Sequence, residues 1–217
     1  MKKKKILKII LVIIAILIAI IAVHTIRNYI IITNLQNKIS QYQNSSNYHI
    51  KSVATENNGT VIKMDYYKKD NKQVVFLERI LNGETNKIAM YNNGERTDTF
   101  TVTKDSKIAQ LNTGTTIVIN IYNHLETDNN WQTFLSSINS KIKSVNCNGK
   151  ECYSIKDFMS TTSLTSDGAE TYIDKETGLF VKTVEYEVVN EREYEFDKVE
   201  DSIFVEPDIG QYTLKEK

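Results

Sequence analysis

Lys2 to Lys5, joined by Lys8, lead directly into an uncharged apolar run from Ile9 to Val23. Counted from Ile6, with Lys8 as its only interruption, the segment meets the lower limit of about 17 residues for crossing a hydrocarbon core roughly 30 Å thick. A helix apolar on every face, with five lysines at one end, is ill suited to the inside of a soluble domain. A cleaved secretory signal is the competing reading. It needs small residues at the third and first positions before the cut, and Ala19 and Ala22 stand one residue too far apart for that pattern. We therefore expect an uncleaved anchor over residues 6–27 behind a basic N-terminus, residues 1–5. Lys8 is tolerable within one turn of the helix end, where its stem can snorkel to the headgroups.

The asymmetry of basic residues sets the expected orientation. Five lysines precede the uncharged run Ile9–Val23, and Arg27 is the one Lys or Arg within about ten residues after it. The positive-inside rule then keeps the N-terminus in the cytoplasm and places the chain from about residue 28 outside. The expected location is the cytoplasmic membrane, crossed once, with an extracytoplasmic C-terminal domain. Charge agrees with this division. The chain carries 27 basic and 27 acidic residues, yet its first acidic residue is Glu56. Beyond residue 27 there remain 21 basic against 27 acidic side chains. A mildly acidic ectodomain lacks the basic patch that nucleic acid requires as a partner. About 170 residues remain for it, enough for one domain with a proper core, expected over 48–217.

After the anchor, Ile26, Tyr29, Ile30, Ile32, Leu35, Ile39 and Tyr42 recur mostly at spacings of three and four, so the helix should continue as a stalk to about residue 43. Gln43 to Asn47 reads as a hinge, completing a stalk-and-hinge segment over 28–47. From Tyr48 the period changes to two. Runs at Thr60–Lys68, Gln73–Leu81, Asn86–Asn92 and Glu95–Thr103 are separated by turn signals at Asp70-Asn71, Asn82-Gly83 and Asn93-Gly94, the pattern of an antiparallel meander. Ile117–Leu125 suits a short helix or a strand. Asn130 should then cap an amphipathic helix with Trp131, Phe134, Leu135, Ile138 and Ile142 on one face. That stripe is expected to cover a face of the sheet. Strands return at Lys143–Asn146, Cys152–Phe158, Glu170–Asp174, Leu179–Val189 and Glu193–Val199, with Ser160–Gly168 a mobile connection and Gly178 in a left-handed turn position.

The two cysteines, Cys147 and Cys152, flank Asn148-Gly149, a strong hairpin signal because both turn residues tolerate positive φ. Two outcomes stay open: a cross-hairpin disulfide on the oxidising side of the membrane, or two separately packed thiols. Two thiols without a nearby histidine cannot complete a zinc shell. His24, His49 and His124 are far apart, and the chain has no Gly-x-Ser-x-Gly elbow, no phosphate loop and no His-Glu-x-x-His. Glu185/Glu187 and Glu191/Glu193/Glu195 read as a solvated strand face. No enzyme activity, cofactor or metal is expected.

Glu170 to Lys182, followed by Tyr194-Glu195-Phe196, Phe204 and Pro207-Asp208-Ile209, resembles the late hairpin and closing strands of the LolA-like superfamily of envelope lipoprotein carriers. Asn148 to Tyr153 resembles a hairpin of its membrane-anchored members. The likeness extends over roughly residues 48–212 in pattern but is specific only in about 145–210, and its motifs are structural turns. It implies an α+β fold: a transmembrane helix and stalk, then an antiparallel incomplete β-barrel (a half-barrel) with a helical insert lidding one face. It implies also a binding module for a lipid or a lipoprotein acyl chain, with Trp131, Phe134, Leu135, Ile138, Tyr66 and Phe76 as candidate lining residues. A tethered chain cannot shuttle between membranes, so the carrier role does not transfer. The competing reading is an envelope sensor or regulator with a filled barrel and a protein partner; a hydrolase ranks third.

Overall fold

Lys2–Ile39 form one unbroken helix, α1, of 38 residues, or roughly 57 Å at the usual rise. The large apolar side chains from Ile6 to Val23 all lie exposed on it. It is the one helix among the described residues long and apolar enough to cross a membrane. The same helix then changes character. Thr25, Asn28, Ile32, Leu35 and Ile39 are buried, at spacings of three and four that place them on one face. The expected stalk over 28–47 is thus a core element along that face. A short 3-10 turn, Ser40–Tyr42, ends it.

The computed structural model describes residues 2–42, 44–112, 117, 129–156 and 169–215. Among them the remaining elements are β1 (Asn47–Thr55), β2 (Val61–Lys69), β3 (Lys72–Leu81), β4 (Glu84–Asn92), β5 (Thr97–Val102), β6 (Lys107–Gln110), α2 (Asn130–Asn139), β7 (Lys141–Cys147), β8 (Lys150–Lys156), β9 (Glu170–Asp174), β10 (Phe180–Glu185), β11 (Val188–Phe196) and β12 (Thr213–Leu214). The Ile117–Leu125 run, Ile117 apart, and the Ser160–Gly168 connection lie outside the described residues. Where the sequence suggests one domain over 48–217, the chain divides into two compact units. Unit 1 is Met1–Gln41 with Tyr122–Leu179, and unit 2 is Tyr42–Ile121 with Phe180–Lys217.

Unit 2 is a large, mostly antiparallel open sheet in the order β12-β6-β5-β4-β3-β2-β1-β11-β10. Among the described residues of this unit only β12 runs parallel to its neighbour, pairing Thr213 with Ile108. The meander is the one the turn signals predict, with edges shifted by one or two residues. The run Leu179–Val189 differs. It is not one strand but two, β10 and β11, folded back at Tyr186-Glu187 so that Glu185 faces Val188. Both turn residues have positive φ, 46° and 69°, the geometry of a type I′ hairpin usually given to Asn-Gly. Neither residue type announces it.

The two sheet faces bury different sets. Tyr66 pairs with Val75 and Ile50 with Tyr66, and Tyr48, Ile50, Tyr66 and Val75 are all buried on that face. On the opposite face a core of Val74, Tyr91, Phe100 and Ala109 is covered by Ile203, Phe204, Ile209 and Tyr212. The C-terminal segment thus packs across β3 to β6 before β12 fastens beside β6.

Unit 1 holds α1, α2 and the antiparallel strands β9-β8-β7. The α2 cap is Asn129, one residue earlier than the sequence suggests, its Oδ1 accepting from Gln132 N at 3.0 Å. Ile142 is not on this helix; it is buried in β7. Gly178 has φ +77°, and a Cβ there would sit 2.6 Å from Leu35 O and 3.0 Å from Ile39 N. Glycine is required on both counts, since the β9–β10 turn lies directly on the α1 backbone. Lys38 Nζ donates to Lys175 O across the same contact.

Candidate ligand groove

Period-two alternation puts Asp65, Phe76, Ala89 and Phe100 in one cross-strand row of unit 2, and Lys63, Glu78, Lys87 and Val102 in the next. Together with Tyr91 and, from the C-terminal segment, Pro207 and Tyr212, these residues line a groove of about 440 Å³. That volume falls in the range of small-molecule sites, roughly 300–1,000 Å³. The aromatic rings form a continuous edge-to-face series. Tyr67–Phe76 and Phe76–Tyr91 centroids are both 6.0 Å apart, Tyr91–Phe100 5.7 Å and Phe100–Tyr212 5.2 Å. Such pairs are worth about 0.5–1.5 kcal/mol each beyond the area they bury, so the apolar wall is held in shape without a ligand.

The polar rim is compact. Lys63 Nζ stands 3.3 Å and Lys87 Nζ 3.5 Å from the two carboxylate oxygens of Glu78. Hydrogen bonding from Lys63 leads in holding the Glu78 carboxyl below its ordinary range, with Lys87 adding to it. At neutral pH Glu78 is therefore an ionised acceptor with no proton to give. Burial pushes the Tyr91 phenol up, and Tyr212 and Glu206 push the same way, so this ring serves as a neutral wall.

At one side of this face His49 lies flat on Tyr67, 4.1 Å between centroids and 4° between planes. Its Nε2 is 2.8 Å from Asp65 Oδ1 and its Nδ1 3.4 Å from Glu195 Oε2. With an acid at each nitrogen, neither is left to activate a hydroxyl nucleophile. The sequence separates these three residues, and only the β2–β1–β11 register unites them.

The candidate lining residues do not come together as one set. Phe76 is in the groove. Tyr66 is on the other sheet face, where its ring meets Tyr48 at 5.8 Å and burial raises its pKa. Adjacent rows of a strand alternate faces, and the two residues belong to rows of opposite parity. In unit 1, Phe134 stacks on Trp131 at 5.6 Å and meets Tyr29 at 6.3 Å. Trp131, Leu135 and Ile138, expected to cover a sheet face, are instead 64%, 43% and 38% exposed. What α2 buries is Thr133, Ser136 and Ser137. The amphipathic period was visible in sequence; which side of it would be buried was not.

Cys147 and Cys152 are free thiols. The Asn148-Gly149 hairpin forms as predicted, with φ of 52° and 88°, and pairs Cys147 with Lys150 and Cys152 with Val145. The cysteines are diagonal neighbours rather than a direct pair. Burial first, then a hydrogen bond with Cys147, pushes the Cys152 thiol up to about 12.

No protein-family model and no curated sequence matches the chain. Among solved structures it is similar to an uncharacterized conserved protein from Thermus thermophilus, at 9% identity and a TM-score of 0.44 over 84% of this chain and 98% of that one. A DUF1329 family protein from Desulfovibrio piger is 12% identical with a TM-score of 0.29, over 84% of this chain and 97% of that one. A putative outer membrane lipoprotein-sorting protein domain from Vibrio parahaemolyticus is 8% identical with a TM-score of 0.25, over 80% of this chain and 95% of that one.

Proposed function

We propose that the protein is a membrane-tethered, extracytoplasmic binding module that holds an apolar ligand, a lipid or a lipoprotein acyl chain, in the unit 2 groove, and that it acts by binding without catalysing a reaction. The observation that carries this reading is the groove itself: a preformed wall of Phe76, Tyr91, Phe100 and Tyr212 beside Ala89, with charge at the Lys63–Glu78–Lys87 rim and at Asp65. An apolar wall with a few placed polar groups suits a chain whose head carries an ester or phosphate. The resemblance of residues 145–210 to the LolA-like group supports a half-barrel binding fold. The basic start of α1 supports a cytoplasmic N-terminus with both units outside.

A second reading, a regulator whose sheet is filled by its own side chains, is favoured by one observation. Ile203, Phe204, Ile209 and Tyr212 already pack on the Val74–Phe100 core. The two are separated by photo-crosslinking. The full chain in phosphatidylcholine nanodiscs is irradiated with a diazirine-labelled diacyl lipopeptide, and adducts are mapped by mass spectrometry. Adducts at Phe76, Ala89, Tyr91 or Tyr212, lost on Ala89→Trp, support the ligand groove. Labelling of α1 alone sinks it and favours the regulator.

A further inference from the structure

The α1–α2 pair of unit 1 is built inside out for a water-facing helix pair. Around Asn28 its inner face is small and polar, with Ile32 and Leu35 buried further along the same face of α1: Asn28 Nδ2 donates to Ser140 O at 2.7 Å and Ser137 O at 3.1 Å, and Thr133 and Ser136 are buried on α2. Its outer faces are large and apolar. Ile26 and Ile30 stand two positions either side of Asn28, hence on the far side of α1, and are 55% and 52% exposed. Trp131, Leu135 and Ile138 occupy the side of α2 opposite Thr133 and Ser137, and α2 carries no charged residue along Asn130–Asn139. Small residues between helices and bulky apolar ones outside is the arrangement of helices packed in lipid.

Height fits as well. The Asn28–Ser140 hydrogen bond fixes the end of α2 one residue beyond Arg27, where the apolar span of α1 stops. Arg27 and Lys141, both exposed, therefore bring two cations to that level, where phosphates of a bilayer would lie. The Gln36–Thr133 contact shows that α2 rises from there antiparallel to α1. Ile138 and Leu135 then fall within a headgroup layer roughly 5–8 Å deep, with Trp131 at or above its outer edge.

We infer that the outward face of α2 is a lipid-contacting surface, Ile138 deepest, Leu135 next and Trp131 outermost, which seats unit 1 in the headgroup layer of the membrane that α1 crosses. The inference rests on α1 as an anchor and is independent of the groove. Trp131 is the single tryptophan of the chain, so its emission reports this face alone.

The test uses three full-length proteins reconstituted in phosphatidylcholine vesicles: the native chain, W131F with L135W, and W131F with I138W. Co-flotation with vesicles after alkaline washing checks the anchor by itself; a protein that fails to float refutes the anchor and the inference together. For protein that floats, quenching by brominated acyl chains should rise in the order 131, 135, 138, and quenching by aqueous acrylamide should fall in that order. Equal acrylamide quenching at all three sites, with no response to bromine, overturns the lipid contact while leaving the anchor standing. Shielding that strengthens as protein is concentrated at fixed lipid overturns it in favour of a second copy on this face.

Discussion

In unit 2 the sheet buries Ile50, Val75 and Phe100 and leaves Lys63, Glu78 and Lys87 at its rim, as a fold surrounded by water should. The helical pair of unit 1 buries Asn28, Thr133, Ser136, Ser137 and Ser140 together with Ile32, Leu35 and Ile39, and turns Trp131, Leu135 and Ile138 outward. One chain thus shows two patterns of burial, the second where α2 meets α1. A side chain's polarity does not decide its burial until the surrounding medium is known.

The contrast breaks most readily in unit 2. Phe100→Ala removes a ring that is 1% exposed and should cost about 4 kcal/mol, read as a lowered urea midpoint for the detergent-solubilised full chain. A near-neutral result would mean that the groove wall is not a packed core. In unit 1 the polar contact is the critical one. Asn28→Leu strands the carbonyls of Ser137 and Ser140 and should cost about 2 kcal/mol; if the leucine protein is the more stable, the pair is held by apolar contact and the contrast fails. The smallest change sharpens it through a turn in unit 2. Tyr186→Asn with Glu187→Gly places residues suited to positive φ at the β10–β11 hairpin and should add about 1 kcal/mol, visible as a raised Tm with no change in crosslinking.

Local signals were legible wherever a residue type carries its own backbone preference. Asn148-Gly149 and Gly178 turned where the sequence says they should, and the 3.6 period of Trp131 to Ile138 made a helix. Three features were not legible, for separate physical reasons. Tyr186-Glu187 turns because the flanking strands pair, against the preference of both residues. Tyr66 and Phe76 look equivalent as aromatic strand residues, and only the pairing Asp65–Phe76 shows that they sit on opposite faces. His49, Asp65 and Glu195 meet through register alone, which no span of sequence records. The direction of the α2 stripe was hidden for a further reason: a hydrophobic period marks a face that avoids water, and both a protein core and a bilayer satisfy that.

The unbroken passage of α1 from its exposed apolar half into unit 1 has a mechanical consequence. With no swivel between them, any tilt or axial rotation of the apolar half is passed to the rest of unit 1 directly. A pull on the apolar half of α1 loads the Asn28 hydrogen bonds and the Gly178 seat before any loop can extend. Cutting the chain just before Tyr48 to release a soluble piece would therefore pull Ile32, Leu35 and Ile39 out of the interior they help to form, and what floated free would be a torn protein.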